Sequence, residues 1–246
     1  MADELLELTR RLRRRVEQSH RSSWRLGSSA PSPEGGCSPS PEGTRQSRLD
    51  AVAEAVRSCR RCVLGGARRH AVPGTGSAEA RVLFVGEGPG LEEDRRGEPF
   101  VGPAGELLDR ILAAIGLSRR TVYIANIVKC HPMKDPGQPE SRGNDRPPSP
   151  EEMAACRPYL AEQIRILSPR CIVALGAVAA RALLGSEAPI GRLRGTWGQY
   201  LDGDFAVKVM PTYHPAALLR DPELKKLVWQ DMKALRAELE SASQAD

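Results

Sequence analysis

Four short apolar runs constrain the fold of this chain most. They are Arg81-Val82-Leu83-Phe84-Val85-Gly86, Val122-Tyr123-Ile124-Ala125-Asn126-Ile127-Val128, Cys171-Ile172-Val173-Ala174-Leu175-Gly176 and Phe205-Ala206-Val207-Lys208-Val209-Met210. Periodicity alone does not separate such runs from buried helix, but their length and their Val and Phe content favour buried parallel strands. Parallel strands need crossover connections, and helical patterns lie between the runs. Leu107, Leu108, Ile111, Leu112 and Ile115 recur at helical spacing over residues 103–115. Met153, Cys156, Leu160, Ile164 and Leu167 do so over 150–167, and Leu224, Leu227, Val228, Met232, Leu235 and Leu239 over 222–240. Strands alternating with helices predict an α/β fold with a sheet covered on both faces. Ligands of such folds bind outside the carboxyl ends of the strands.

The residues just past each run are therefore informative. After the first come Gly86-Glu87-Gly88-Pro89-Gly90, an acidic patch Glu92-Glu93-Asp94, and Gly97-Glu98-Pro99-Phe100-Val101-Gly102-Pro103. The glycines let backbone approach a ligand closely, but no Gly-Lys-Ser or Gly-Lys-Thr ending marks a phosphate loop. Aromatics are only 4% of the chain, so Phe100 beside this loop is either core or a stacking surface. Asn126 is an amide inside an apolar run. It either ties two loops or reads a ligand edge with its donor and acceptor. His214, one of four histidines, stands in the turn Pro211-Thr212-Tyr213-His214-Pro215 after the last run.

Six cysteines are present. Cys59-Arg60-Arg61-Cys62 has the spacing with which two thiolates hold one centre, and Cys130 and Cys156 complete a set of four. Such a set suits an iron–sulfur cluster or zinc, and these residues alone do not choose between them. Cys171 opens a buried run and reads as core. Cys37 lies among Ser, Pro and Gly and is left out of any site.

The chain divides into a tail over 1–47 and a folded domain over 48–242. Leu5, Leu8, Leu12 and Val16 form one face of a helix over 1–20, amid Arg10, Arg11, Arg13, Arg14 and Arg15. Its role is either a solvated tail or an arm that docks on a partner or nucleic acid, and no partner is identified. Residues 22–47 offer little to bury and are expected to be a disordered linker. The net charge of +5 is compatible with a polyanionic partner but does not identify one. No apolar run reaches membrane-spanning length, and no secretory signal opens the sequence. Asp3, Glu4 and Glu7 argue against a transit peptide. A cytoplasmic, monomeric protein is expected.

Together these pieces resemble the family 4 uracil-DNA glycosylases, the iron–sulfur class. The likeness runs from about Leu49 to about Leu239. It rests on GEGPG with EEDRRGEPFVGPAGELLDRIL, then NIVKCHP, PSPEEMAACRPYL, IVALGAVAARALLG, GRLRGTW and PTYHPAALL, in that order. The resemblance implies a three-layer α/β/α sandwich around a four-stranded parallel sheet. It implies a [4Fe–4S] cluster on Cys59, Cys62, Cys130 and Cys156, and hydrolysis of the bond joining uracil to DNA. Phe100 would stack on the flipped base. Asn126 would bind the N3 and O4 edge, and His214 would hydrogen-bond O2 and stabilise the departing anion. Glu93 would crowd C5 against thymine. Gly86, Glu87, Gly88 and Gly90 would wrap sugar and base, with Glu87 assisting water or holding the sugar.

Two departures stand out. Gly88 stands where the family usually has alanine, and no aspartate is available there to activate water. Residues 134–148 form a longer segment than the family pattern predicts. Leu218, Leu219 and Arg220 are candidates for a wedge into the base stack. Lys129, Arg192, Arg194, Lys225 and Lys226 are candidate phosphate contacts, with Arg60 and Arg61 better placed beside the cysteines. The alternative to a glycosylase is a non-catalytic DNA-binding module stabilised by iron–sulfur or zinc.

Overall fold

The structure, a computed structural model, describes residues 43–242. The helix expected over 1–20 and most of the linker expected over 22–47 lie outside the described residues. Helix α1 (Arg45–Ser58) begins three residues before the expected domain boundary, with the Thr44 hydroxyl accepting from the Ser47 amide. A single turn, α2 (Leu64–Ala67), and a two-residue strand, β1 (Thr75–Gly76), precede β2 (Val82–Gly86). Helices α3 (Leu91–Arg96) and α4 (Pro103–Ala114) lead to β3 (Tyr123–Asn126). Then come α5 (Pro150–Leu167), β4 (Cys171–Leu175), α6 (Ala177–Leu184), α7 (Ile190–Leu193), β5 (Gly198–Asp202) and β6 (Phe205–Thr212). Helices α8 (Pro215–Arg220) and α9 (Leu224–Ala242) close the described chain.

All four apolar runs are strands, and they pair in parallel in the order β3-β2-β4-β6. The sheet nevertheless has six strands, which corrects the expectation of four. β1 adds antiparallel to β3, and β5 adds antiparallel to β6. Both additions escape a search for apolar runs for a physical reason. β1 is too short to show a pattern, and the edge strand β5 buries only Tyr200.

Alternate residues of the strands feed opposite faces, as the pleat requires. Leu83, Val85, Ala125, Ile172 and Ala174 pack with α1, α5 and α6. Val82, Phe84, Ile124, Val173 and Met210 pack with α4, α8 and α9. Each fully buried Leu, Ile or Phe here contributes about 1.5–3 kcal/mol. Helix α5 starts where its sequence dictates. Ser149 accepts from the Glu152 amide, and Glu152 accepts from the Ser149 amide in return. That reciprocal cap fixes the register that carries Cys156 inward. None of the described helices is long and apolar enough to cross a membrane.

Candidate active site

A cleft opens at the carboxyl ends of the parallel strands, where the fold class places ligands. Glu87, Gly88 and Gly90 line it from the loop after β2, Glu93 from the first turn of α3, Asn126 from the end of β3, and His214 from the turn after β6. Gly86, the last residue of β2, lies beneath. A β-carbon there would stand 2.4 Å from Asn126 Oδ1 and 2.6 Å from the Phe100 ring, so only glycine lets the two side chains meet.

Phe100 is buried, and its backbone takes φ 56°, the left-handed region that a bulky residue avoids. Three features hold it there. Arg119 donates to the carbonyls of Pro99 and Phe100. Glu93 accepts from the amides of Val101 and Gly102 with one oxygen and from Gly90 with the other. Gly105 lets the next helix pass directly beneath the Phe100 carbonyl, where any β-carbon would collide. The Phe100 and His214 rings lie 5.5 Å apart and nearly stacked.

His214 has a defined tautomer. Its Nδ1 accepts from the Ala216 amide at 3.1 Å, which leaves the neutral ring's proton on Nε2. Burial, with Arg220 nearby, pulls its pKa down to about 4, so the ring is neutral near pH 7. Asn126 is 1% exposed, and its Oδ1 has no hydrogen-bond partner among the described residues. A buried acceptor left unpaired costs about 1–3 kcal/mol, which marks a position for a ligand donor. Burial and the negative charge of Asp145 raise the pKa of Glu87.

A second, small cavity is lined by Cys59, Cys62, Cys130 and Cys156 together. No group of three or more His, Cys, Asp or Glu among the described residues is gathered to hold a single metal ion. The four thiols line one space, a donor set suited to an iron–sulfur centre or to zinc. The surroundings favour a negative one. Arg68 donates to Cys130 Sγ at 2.8 Å, and the Lys129 amide donates to Cys156 Sγ at 3.2 Å. The Lys129 amine is itself buried, bonded to Gln163 and to the Asn126 carbonyl.

Residues 73–233 match the family model of the uracil DNA glycosylase superfamily. A type-4 uracil-DNA glycosylase of Thermotoga maritima is 42% identical over 79% of this chain and 96% of its own length. One from Saccharolobus solfataricus is 40% identical over 78% of this chain and 87% of its own. The chain is a type-4 member of the uracil-DNA glycosylase superfamily. A type-5 relative from Pyrobaculum aerophilum is more distant, at 32% identity over 60% of this chain.

Within this glycosylase, several sequence-based expectations need adjustment. Leu218 is 2% exposed and belongs to the core, so of the two wedge leucines only Leu219 faces outward. Lys129 is buried beside the cysteines and Arg194 is bonded to Asp231, so neither is a phosphate contact. Lys225 and Lys226 are exposed, although Lys226 pairs with Glu223. Arg60 and Arg61 are exposed beside the cysteine cavity. Cys171 is fully buried in the core.

Other residues of the glycosylase site were not singled out from sequence. Arg68 and Arg119 act through backbone and sulfur partners distant in the chain. Asp145 reaches the cleft from the long segment between Cys130 and Cys156. That segment is an ordered lobe, bridged between Met133 and Asp145. The Asn144 side chain binds the backbone of Asp135 and Gln138, and Arg146 is held by Glu152 and the Met133 carbonyl. The Asn-Asp-Arg run at its end was the available signal.

Proposed function

We propose that the cleft removes uracil from DNA by hydrolysing its N-glycosidic bond, leaving an abasic site for base excision repair. The observation that carries this reading is the unpartnered Asn126 Oδ1 at the end of β3. Uracil offers it the N3–H donor, and the Asn126 amide NH₂ answers O4. Cytosine presents an acceptor at N3 and a donor at the amino group, the reverse pattern, and is refused.

The target must leave the duplex to enter such a pocket, at a cost of a few kcal/mol. Phe100 then offers a fixed stacking face, with Leu219 and Arg220 placed to enter the vacated stack. Breaking the C1′–N1 bond leaves positive charge on the sugar and an electron pair on N1. The Nε2–H of neutral His214 donates to O2, where the base anion gathers charge. A preorganised donor of this kind contributes about 3–4 kcal/mol to the barrier reduction. A neutral ring suits the task, because it binds the anion without first surrendering a proton. Both oxygens of Glu93 are engaged by backbone amides. Its role is therefore to set the wall near C5, and Glu87 faces the sugar.

The cysteine cavity is assigned to a [4Fe–4S] cluster held by Cys59, Cys62, Cys130 and Cys156. Such a cluster supplies architecture here, since hydrolysis moves no electron between substrates. The same reading takes the fold as the superfamily's three-layer α/β/α sandwich, with residues 1–47 as an appended arm, and the protein as a cytoplasmic monomer.

The test is a labelled oligonucleotide carrying one uracil, with thymine and cytosine controls and a His214→Ala protein. Alkali-sensitive breaks at uracil alone, strongly reduced in H214A, are expected. Binding without any abasic product from cluster-loaded protein would move the weight to a non-catalytic DNA-binding module.

A further inference from the structure

Among the carboxylates lining the cleft, Asp145 has no part in the reading above. Its Oδ1 accepts from Nε2 of His131 at 2.6 Å. His131 is fully buried, and its Nδ1 has no hydrogen-bond partner among the described residues. A buried imidazole whose only hydrogen bond is to one exposed carboxylate serves to hold that carboxylate. Asp145 is accordingly fixed on one side and open on the other, with its second oxygen left for the cleft. It faces the glycine-rich loop: Oδ1 lies 3.8 Å from where a β-carbon on Gly90 would stand. Glu87 is close enough to feel its charge.

The lobe that delivers Asp145 is built to place it. The Lys134 amide bonds the Asn144 carbonyl at 2.8 Å, and the Arg146 amide bonds the Pro132 carbonyl at 3.1 Å. Asp145 therefore sits between two backbone anchors. The loop after β2 offers glycine at position 88, and the carboxylate it does carry, Glu87, has its pKa raised by burial and by Asp145.

We infer that Asp145, oriented by His131, is a catalytic carboxylate of the glycosylase reaction: it faces the cationic sugar and receives the proton of the attacking water. The step balances without a further reactant. The C1′–N1 bond breaks, and its electron pair leaves on uracil N1 beside His214. Water oxygen then bonds C1′, and its proton passes to Asp145 and on to the uracil anion or solvent. Glu87, whose pKa is raised by burial and by the charge of Asp145, occupies the sugar side. This inference rests on the uracil-excising reading of the cleft.

The experiment compares wild type, Asp145→Asn and Asp145→Ala, each matched for iron content and melting temperature. Single-turnover excision from a uracil oligonucleotide is measured across pH 5–9. Binding is measured in parallel with an oligonucleotide whose uracil carries 2′-fluorine, which resists cleavage. Both variants are expected to lose about 100-fold or more in rate, within the range of general-base catalysis. They should bind the resistant DNA within threefold of wild type or more tightly, having lost a negative charge. The acidic limb of the wild-type pH profile should flatten in both. His131→Gln should show a partial version of the same pattern. Rates within threefold of wild type in D145N overturn the inference. So does an equal loss of rate and binding, which would make Asp145 a loop residue only. A wild-type protein that releases no uracil defeats the glycosylase reading itself, and Asp145 falls with it.

Discussion

Replacing Arg119 by methionine tests whether the Phe100 ring is held in place by one distant guanidinium. Arg119 donates to two successive carbonyls, those of Pro99 and Phe100, and pairs with Asp109. Charged hydrogen bonds are worth about 1.5–3 kcal/mol when buried. Arg119 is 28% exposed, so roughly 1 kcal/mol for each carbonyl is a screened value. The left-handed backbone of Phe100 costs about 1–2 kcal/mol in the opposite sense. The bonds and the strain therefore nearly balance, and losing the bonds leaves the strain unopposed. The site-competent loop then becomes about 2 kcal/mol less favourable, roughly a 30-fold smaller population. Arg119→Met should lower kcat/KM for uracil excision by about 10–30-fold, with Arg119→Lys in between. The fold should persist, because Glu93 still holds the amides of Val101 and Gly102. Single-turnover excision over a range of enzyme concentrations gives the rate, and a thermal melt monitors the fold. A folded, iron-bearing R119M protein within twofold of wild type would refute the argument.

His214 makes a prediction about acid. Its pKa in the folded chain, about 4, lies below the ordinary 6.5. Between those values the unfolded chain binds a proton that the native ring refuses, so stability falls as pH drops from about 6.5 to 4. The loss is about 3 kcal/mol; denaturant melts should show it in wild type and not in His214→Gln. Arg194→Met should leave Asp231, 1% exposed, with Thr212 as its remaining side-chain partner. Breaking such a pair costs about 3 kcal/mol, a fall in Tm of roughly 6–12 °C; an unchanged melt would deny the network any structural weight. Anaerobically purified protein should contain iron and acid-labile sulfide in equal amounts and no stoichiometric zinc. Cys130→Ser should lose most of both, as elemental analysis and visible absorbance would reveal. Asn126→Asp, which trades an amide donor for a carboxylate oxygen, should excise uracil at least about 100-fold more slowly; near-normal excision would remove Asn126 from base reading.

The sheet's centre was legible because buried parallel strands write themselves as unbroken apolar runs. Its edges were not. Gly198–Asp202 alternates between exposure and partial burial, and Thr75–Gly76 carries no pattern at all. The site followed the same logic. Gly86, Glu87, Asn126 and His214 stand at or just past strand ends, so knowing the strands located them. Phe100 and Glu93 were singled out from motif order, and the four cysteines, which line one cavity, from their own spacing. Asp145 and Arg119 were not singled out because their contacts lie with partners that sequence distance conceals: a buried histidine in one case, a pair of carbonyls in the other. Leu218 and Leu219 show the limit of residue type alone. They are adjacent and chemically identical, and a single step around the helix decides that one is core and the other faces outward.

Lys129 gives the molecule an internal dependency. Its amide bonds Cys156, while its amine bonds the carbonyl of Asn126, the buried residue that ends β3 and lines the cleft. No carboxylate is paired with that amine among the described residues. Burial pulls its pKa down to about 8, and the neighbouring Cys156 and Cys130 sulfurs act to raise it. A buried ammonium is tolerable only beside compensating charge, and sulfur is the compensating group at hand. Oxidation or loss of those sulfurs would remove the amine's reason to stay inside, and the Asn126 carbonyl would lose its donor. Damage at one centre would thus register at the other as a loss of fit, with no electron passing between them.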